Sequence, residues 1–187
     1  MSDRVCPPWI GYFLINPLRK LLENPNKILG PFVQEGMTVL EPGCGMGYFT
    51  LPLARMVGPA GRILAVDIQP KMLSVLERRA GKAGLMDRIE LRHADGDGMG
   101  VENISCKVDF TAALYVVHEV PDQAVFYAEV WAALKPGGRL LVVEPKGHVS
   151  QEKFEKSVSV AEEIGFLKEP LPHKVGGRGA LLTKPGV

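Results

Sequence analysis

The stretch TVLEPGCGMGYFTLPLA, residues 38–54, decides how the rest of the chain is read. Thr38–Glu41 is a short apolar run of strand length that ends in an acid. Glycines follow at alternate positions, Gly43, Gly45 and Gly47, and a helical pattern begins near Tyr48. A glycine-rich turn between strand and helix lets the backbone approach a ligand and aims the first helical amides at it. The dinucleotide-binding turn G-x-G-x-x-G needs its third glycine for close helix–strand packing, and Tyr48 stands in that place. The phosphate loop fails as well, because no Gly-Lys-Ser/Thr follows. The turn therefore suits a nucleotide-like ligand that is not held by a pyrophosphate.

Outward from this turn, strand-length apolar runs alternate with helical periodicity. Strands are expected at Arg62–Asp67, Ile89–His93, Asp109–Leu114 and Arg139–Glu144, with helices near Tyr48–Met56, Pro70–Lys82, Pro121–Leu134 and Gln151–Ile164. That alternation implies a largely parallel sheet covered by helices on both faces. Lys135-Pro-Gly-Gly reads as a helix stop. The final runs, Gly165–Glu169 and Gly179–Lys184, are joined by a short polar link and read as an antiparallel hairpin. The expected fold is α/β, Rossmann-like, with a seven-stranded mostly parallel sheet and a C-terminal antiparallel hairpin. Residues 31–187 form its single domain. Residues 1–30, with short helices at Pro17–Leu22 and Lys27–Val33, form an N-terminal segment that is a candidate pocket cover.

Composition narrows the class. The 187 residues carry 46% hydrophobic and 23% charged side chains and a net charge of +1, an ordinary globular balance with no field for nucleic acid or anionic lipid. Cys6, Cys44 and Cys106 have no metal-ligand spacing and fit a reducing cytoplasm better than a disulfide framework. The apolar run Trp9–Ile15 is too short to span a bilayer. A cytoplasmic protein, monomer or homodimer, without a metal is the expectation.

Three acids specify the ligand further. Glu41, two residues before Gly43, would repel a pyrophosphate and welcome a cationic amino group. Asp67 closes the second strand, 20 residues after Gly47, where a carboxylate accepts from a ribose diol. Asp95 follows the third strand and is placed to accept from an exocyclic amine such as adenine N6. An ammonium, a diol and an adenine, without phosphate, are what these acids describe.

Glu41-Pro-Gly-Cys-Gly-Met-Gly resembles motif I of class I S-adenosylmethionine-dependent methyltransferases. Ala-Val-Asp67-Ile68-Gln-Pro-Lys-Met72, Ala94-Asp95, Leu114-Tyr-Val-Val-His118-Glu-Val-Pro-Asp122 and Leu134-Lys-Pro-Gly-Gly-Arg follow in family order. The chain is similar to the ubiquinone/menaquinone C-methyltransferase-like (type 11) small-molecule group. The resemblance implies S-adenosyl-L-methionine as cofactor. It implies that Gly43, Cys44, Gly45, Gly47 and Tyr48 face the methionine portion and that Glu41 meets its amino group. Asp67 would hold the ribose, Ile68 and Met72 the adenine face, Asp95 and Gly96 the adenine edge, and Leu114 and Tyr115 the floor near the sulfonium.

The acceptor side is thinner. His118 is the candidate general base, since a neutral imidazole accepts a proton near neutral pH. Tyr12, Arg19, Tyr115 and Glu144 are the other candidate pocket residues. The expected acceptor is a small molecule; the Asn-Pro-Pro-Tyr signature of methylation on planar amino groups is absent. A thiol–metalloid role for Cys44, a non-catalytic adenosylmethionine-binding module and an NAD-dependent oxidoreductase are the competing readings. Glu41 and Tyr48 argue against the last.

Overall fold

The computed structural model of the protein describes residues 23–95 and 98–186. Tyr12, Arg19, Gly96 and the expected helix at Pro17–Leu22 lie outside them.

The first described helix, α1 (Pro25–Leu29), starts with proline at its first turn and is capped by Asn24, whose side chain accepts from the Asn26 and Lys27 amides. Then come β1 (Thr38–Pro42), α2 (Thr50–Met56), β2 (Arg62–Asp67), α3 (Pro70–Ala83) and β3 (Ile89–His93). The second half comprises β4 (Val108–Leu114), α4 (Gln123–Ala133), β5 (Leu134–Glu144), α5 (Gln151–Ile164), β6 (Leu167–Glu169) and β7 (Arg178–Thr183). Short 3-10 turns at Met86–Arg88 and Glu102–Ile104 flank β3 and β4.

The seven strands form one sheet in the order β3-β2-β1-β4-β5-β7-β6. β1 to β5 are parallel, and β7 lies antiparallel between β5 and β6, as the expected hairpin requires. Neighbouring residues in a strand face opposite sides, which builds two cores from the same runs. Val39, Ile63 and Phe110 meet Leu29, Phe32, Leu53 and Leu76 on one face. Leu40, Leu64 and Leu140 meet Phe126, Tyr127, Val130 and Phe154 on the other.

Helix ends follow local chemistry. α3 has proline in its first turn and stops at Gly84, whose left-handed φ of 64° a side chain adopts only with strain. α4 is capped by Asp122, which accepts from the Ala124 and Val125 amides, a contribution of about 1 kcal/mol. Two expectations shift. α2 begins at Thr50 rather than Tyr48, because residues 45–49 are spent on the turn. α4 ends at Ala133, just before Lys135-Pro-Gly-Gly, but these four residues are strand and not a loose stop. β5 already begins at Leu134, opposite Val108, and the backbones of Gly137 and Gly138 bond to Lys184.

The order of strands reverses between β1 and β4. A crevice outside the carboxyl ends of the strands opens at such a switch point, and the expected site residues map to those ends.

Candidate functional site

The glycine turn leaves β1 at Pro42 and is locked to its neighbour strand. Cys44 N–H donates to the Val66 carbonyl at 3.0 Å, and Gly45 N–H donates to Asp67 Oδ2 at 2.8 Å. Gly43 has a φ of 67°, and a Cβ there would lie 2.6 Å from Val116 Cγ2, so only glycine fits between the turn and the segment after β4. Gly45 differs. Nothing lies within 4 Å of where its Cβ would be, so this position borders open space.

Glu41 is a buried acid without a full set of partners. Its side chain is 3% exposed, and neither its Oε2 nor the Thr50 hydroxyl has a hydrogen-bond partner of ordinary geometry. Burial pushes the carboxyl from 4.5 up to about 8; the nearby Thr50 hydroxyl opposes the shift and the Asp67 charge adds to it. An unpaired buried acid of this kind is stabilised by a cation that supplies both charge and hydrogen bonds. The α-ammonium of S-adenosylmethionine is such a group, so the residues present fit the cofactor.

Asp67 is buried and accepts from the backbone on each oxygen, from Gly45 at Oδ2 and from Gln69 at Oδ1, each at 2.8 Å. Burial raises its carboxyl above 3.8, opposed by these two amides and by His93. Each carboxylate oxygen has a second lone pair, so the anchor of the turn retains acceptor capacity. Ile68, beside it, is 44% exposed, unusual for so apolar a residue and in keeping with a ligand face. Met72 is buried in a small cluster with Met46, a residue of the turn, and Val75. Asp95 is exposed two residues past β3.

Cys44 is buried, and its thiol is pushed well above 9.0 by burial, then by the charges of Glu41 and Asp67. A thiol held protonated is a poor nucleophile and a poor metalloid ligand.

At the end of β4, Leu114 is buried and Tyr115 takes a left-handed φ of 61°, an uncommon backbone for a bulky residue. Tyr115 donates its hydroxyl to Glu23 Oε1 at 2.8 Å, while Tyr48 donates its own to the Glu23 carbonyl at 2.7 Å. The two tyrosines thus tie Glu23 across the β1/β4 switch point. The Tyr48 phenol is directed at this tie.

His118 and Glu144 form the other half. Glu144, closing β5, is 1% exposed; its Oε1 accepts the Val117 amide at 2.8 Å and its Oε2 is bonded to His118 Nδ1. Glu144 therefore lies behind the imidazole rather than beside it in an open pocket. The hydrogen bond to Glu144 raises the His118 value above 6.5, burial opposes it, and the charges of Glu144 and Glu119 add to the rise. Glu119 Oε1 is 3.9 Å from Nε2, and the His148 ring is 6.4 Å away, edge-on. Among the described residues no cluster of His, Cys, Asp and Glu could hold a metal ion, and no helix is long and apolar enough to cross a membrane.

Thr50 and Glu23 were not singled out by sequence reasoning. Thr50 carries no motif signal beyond its place three residues after Gly47, and Glu23 lies between the two short helices expected at the N-terminus and belongs to no motif.

A Rossmann-like sheet of order 3-2-1-4-5-7-6, a glycine turn on its first strand and acids after three neighbouring strands define a class I S-adenosylmethionine-dependent methyltransferase. The chain belongs to the methyltransferase domain family, whose model matches residues 33–176, more than half of its length. A crystal structure of an S-adenosylmethionine-dependent methyltransferase from Aquifex aeolicus superposes with a TM-score of 0.84 at 25% identity, covering 96% of this chain and 100% of that one. Demethylmenaquinone methyltransferases from Lactobacillus johnsonii and Staphylococcus aureus are 30% and 31% identical over 112 residues, 60% of this chain. The matched part spans less than half of those relatives, 45% and 44% of their lengths.

Proposed function

We propose that the protein transfers the methyl group of S-adenosylmethionine to a small acceptor that must lose a proton, such as a phenol, an enol or a quinol-like ring. The observation that carries this reading is the His118–Glu144 pair at the ends of β4 and β5. Glu144 holds Nδ1, which fixes the tautomer and leaves Nε2 to take a proton from an acceptor atom. A positive imidazolium then forms beside two carboxylates, Glu144 and Glu119, and the raised value of His118 is the equilibrium sign of that support. The names of the quinone-methylating relatives favour an acceptor of the same chemistry.

The bound cofactor supplies an activated methyl on a sulfonium, so the protein's own work is alignment and exclusion of water. Glu41, with Thr50, meets the ammonium. Asp67 presents acceptors to the ribose while it holds Gly45, and the exposed face of Ile68 covers the adenine. Met72 acts one layer deeper, by supporting Met46 under the turn. Asp95, with Gly96, reads the adenine edge. Leu114 and Tyr115 form the floor, and Glu23 is tied beside it to Tyr48 and Tyr115. Tyr12 and Arg19 are proposed acceptor contacts.

Incubation with methyl-labelled S-adenosylmethionine and a panel of phenols, quinols and carboxylic acids, read by mass spectrometry, tests the proposal. Label should enter phenols or quinols and depend on His118. Binding of S-adenosylhomocysteine without labelled product from any acceptor would favour a binding module. Binding of NAD in its place would overturn the reading.

A further inference from the structure

The glycine turn rests on one stripe of α3. Met72, Val75, Leu76 and Arg79 follow helical spacing, so they share a face of that helix. Met46, between Gly45 and Gly47, is buried with Met72 and Val75. Leu76 lies so close over Gly47 that it leaves no room for a Cβ there. Arg79, one helical turn beyond Val75, donates from its guanidinium to the Met46 carbonyl, 33 residues away in sequence.

Two elements therefore hold the two halves of the turn. The Cys44 and Gly45 amides are fixed by Val66 and Asp67 at the end of β2, at 3.0 and 2.8 Å. The Met46 carbonyl is fixed by α3, and the Gly47 amide closes back on the Cys44 carbonyl at 3.0 Å. Gly43, Gly45 and Gly47 all have left-handed φ, 67°, 53° and 82°. Glycine loses more conformational freedom on ordering than any other residue, so a turn built on three of them stays loose unless it is anchored. Arg79 is a costly anchor. Burial lowers its guanidinium from the ordinary value with no carboxylate to offset the effect, and Met46 is its one acceptor among the described residues. A half-buried arginine spent on a single carbonyl, through a charge-assisted bond, is accounted for by the turn that it holds.

We infer that Arg79 is a positioning residue for the methionine end of the cofactor: by fixing the peptide between Met46 and Gly47 it presets the second half of the glycine turn, and so the preference for a nucleoside thioether with an amino-acid tail over one without it. A site ordered in advance does not charge that ordering to its ligand. The inference rests on the proposed pairing of the cofactor's ammonium with Glu41, which brings the tail against the turn. A purely structural arginine would weaken every ligand of the crevice alike, or lower stability alone.

Calorimetry with S-adenosylhomocysteine and 5′-methylthioadenosine separates these. The second compound keeps the adenosine and the sulfur but carries a methyl group in place of the amino-acid tail. The wild type should prefer S-adenosylhomocysteine by about tenfold or more, the worth of one hydrogen bond to a charged group. Glu41→Gln should remove much of that preference directly. Arg79→Met, which keeps the apolar stem and loses the donor, should weaken S-adenosylhomocysteine by about tenfold and leave methylthioadenosine nearly unchanged. Arg79→Lys, which keeps a cationic donor, should recover much of the loss. If Glu41→Gln leaves the preference intact, the placement of the ammonium fails. If Glu41→Gln removes it while Arg79→Met retains it, or if Arg79→Met weakens both compounds alike, the inference about Arg79 fails alone. Should Arg79→Met not fold, amide hydrogen exchange of the wild type decides. The Gly47 amide should be protected before any ligand is added, and protection that appears only on binding would overturn a preset turn.

Discussion

Replacing Glu41 by glutamine should stabilise the ligand-free protein at alkaline pH while depriving it of its cofactor. The carboxyl is fully buried, has an unpartnered oxygen and sits at about 8 instead of 4.5. The folded state therefore binds this proton more tightly than the unfolded chain does. Stability from the neutral form is complete below 4.5 and is lost as pH rises through about 8. At about 1.4 kcal/mol per pH unit, the loss across that window approaches 5 kcal/mol, with water entry and relaxation lowering it. Glutamine does not ionise, so its variant has no such slope. Urea denaturation at pH 5, 6.5 and 8.5 should give an unfolding free energy for Glu41→Gln that rises against the wild type by several kcal/mol between the first and last. Saturating S-adenosylhomocysteine should reverse the order at pH 8.5, because its ammonium pairs with the ionised Glu41 and gains little from an amide. Parallel pH profiles for the two proteins would refute the buried, unpaired acid. Equal stabilisation of both by the ligand would refute its pairing with the ammonium.

Asp67→Ala removes the acceptor for the Gly45 and Gln69 amides. It should destabilise by roughly 2–4 kcal/mol and lose most affinity for S-adenosylhomocysteine by calorimetry, whereas unchanged affinity would remove Asp67 from the ribose. For an acceptor found by the labelling assay, turnover should rise with pH as His118 loses its proton, with a midpoint above 6.5. Glu144→Gln should move that midpoint down, His118→Ala should abolish the limb, and an unmoved midpoint in Glu144→Gln would show that the pair does not set it. Gly43→Ala meets both a left-handed φ and Val116, so its melting temperature should fall clearly. Gly45→Ala meets only the backbone strain, about 1 kcal/mol, and should lose cofactor affinity out of proportion to its stability; equal losses in both variants would mean that Gly45 does not border the ligand.

The cofactor half was readable in the sequence because its parts are short and local. A strand-length run, an acid and a glycine turn stand next to one another at 38–47, and a strand ending in an acid recurs at 62–67. Parallel pairing then brings those ends to one edge, which is why Glu41, Asp67 and Asp95 could be assigned to one crevice before any contact was known. Their partners were not readable. That Gly45 bonds to Asp67, 22 residues on, depends on the register of β1 against β2. That Glu144 stands behind His118, 26 residues earlier, depends on how β5 lies against β4. From spacing alone Gly45 and Asp67 read as separate contacts to the methionine portion and the ribose, and His118 and Glu144 as separate pocket residues. The asymmetry has a physical origin. A cofactor that carries its own leaving group has to be held at fixed strand ends, and that requirement imprints local motifs. An acceptor needs only a proton acceptor and a shaped cover, and those are assembled from residues distant in sequence. Substitutions at the ends of β4 and β5, around His118 and Glu144, should therefore change what is methylated while leaving the binding of S-adenosylhomocysteine intact.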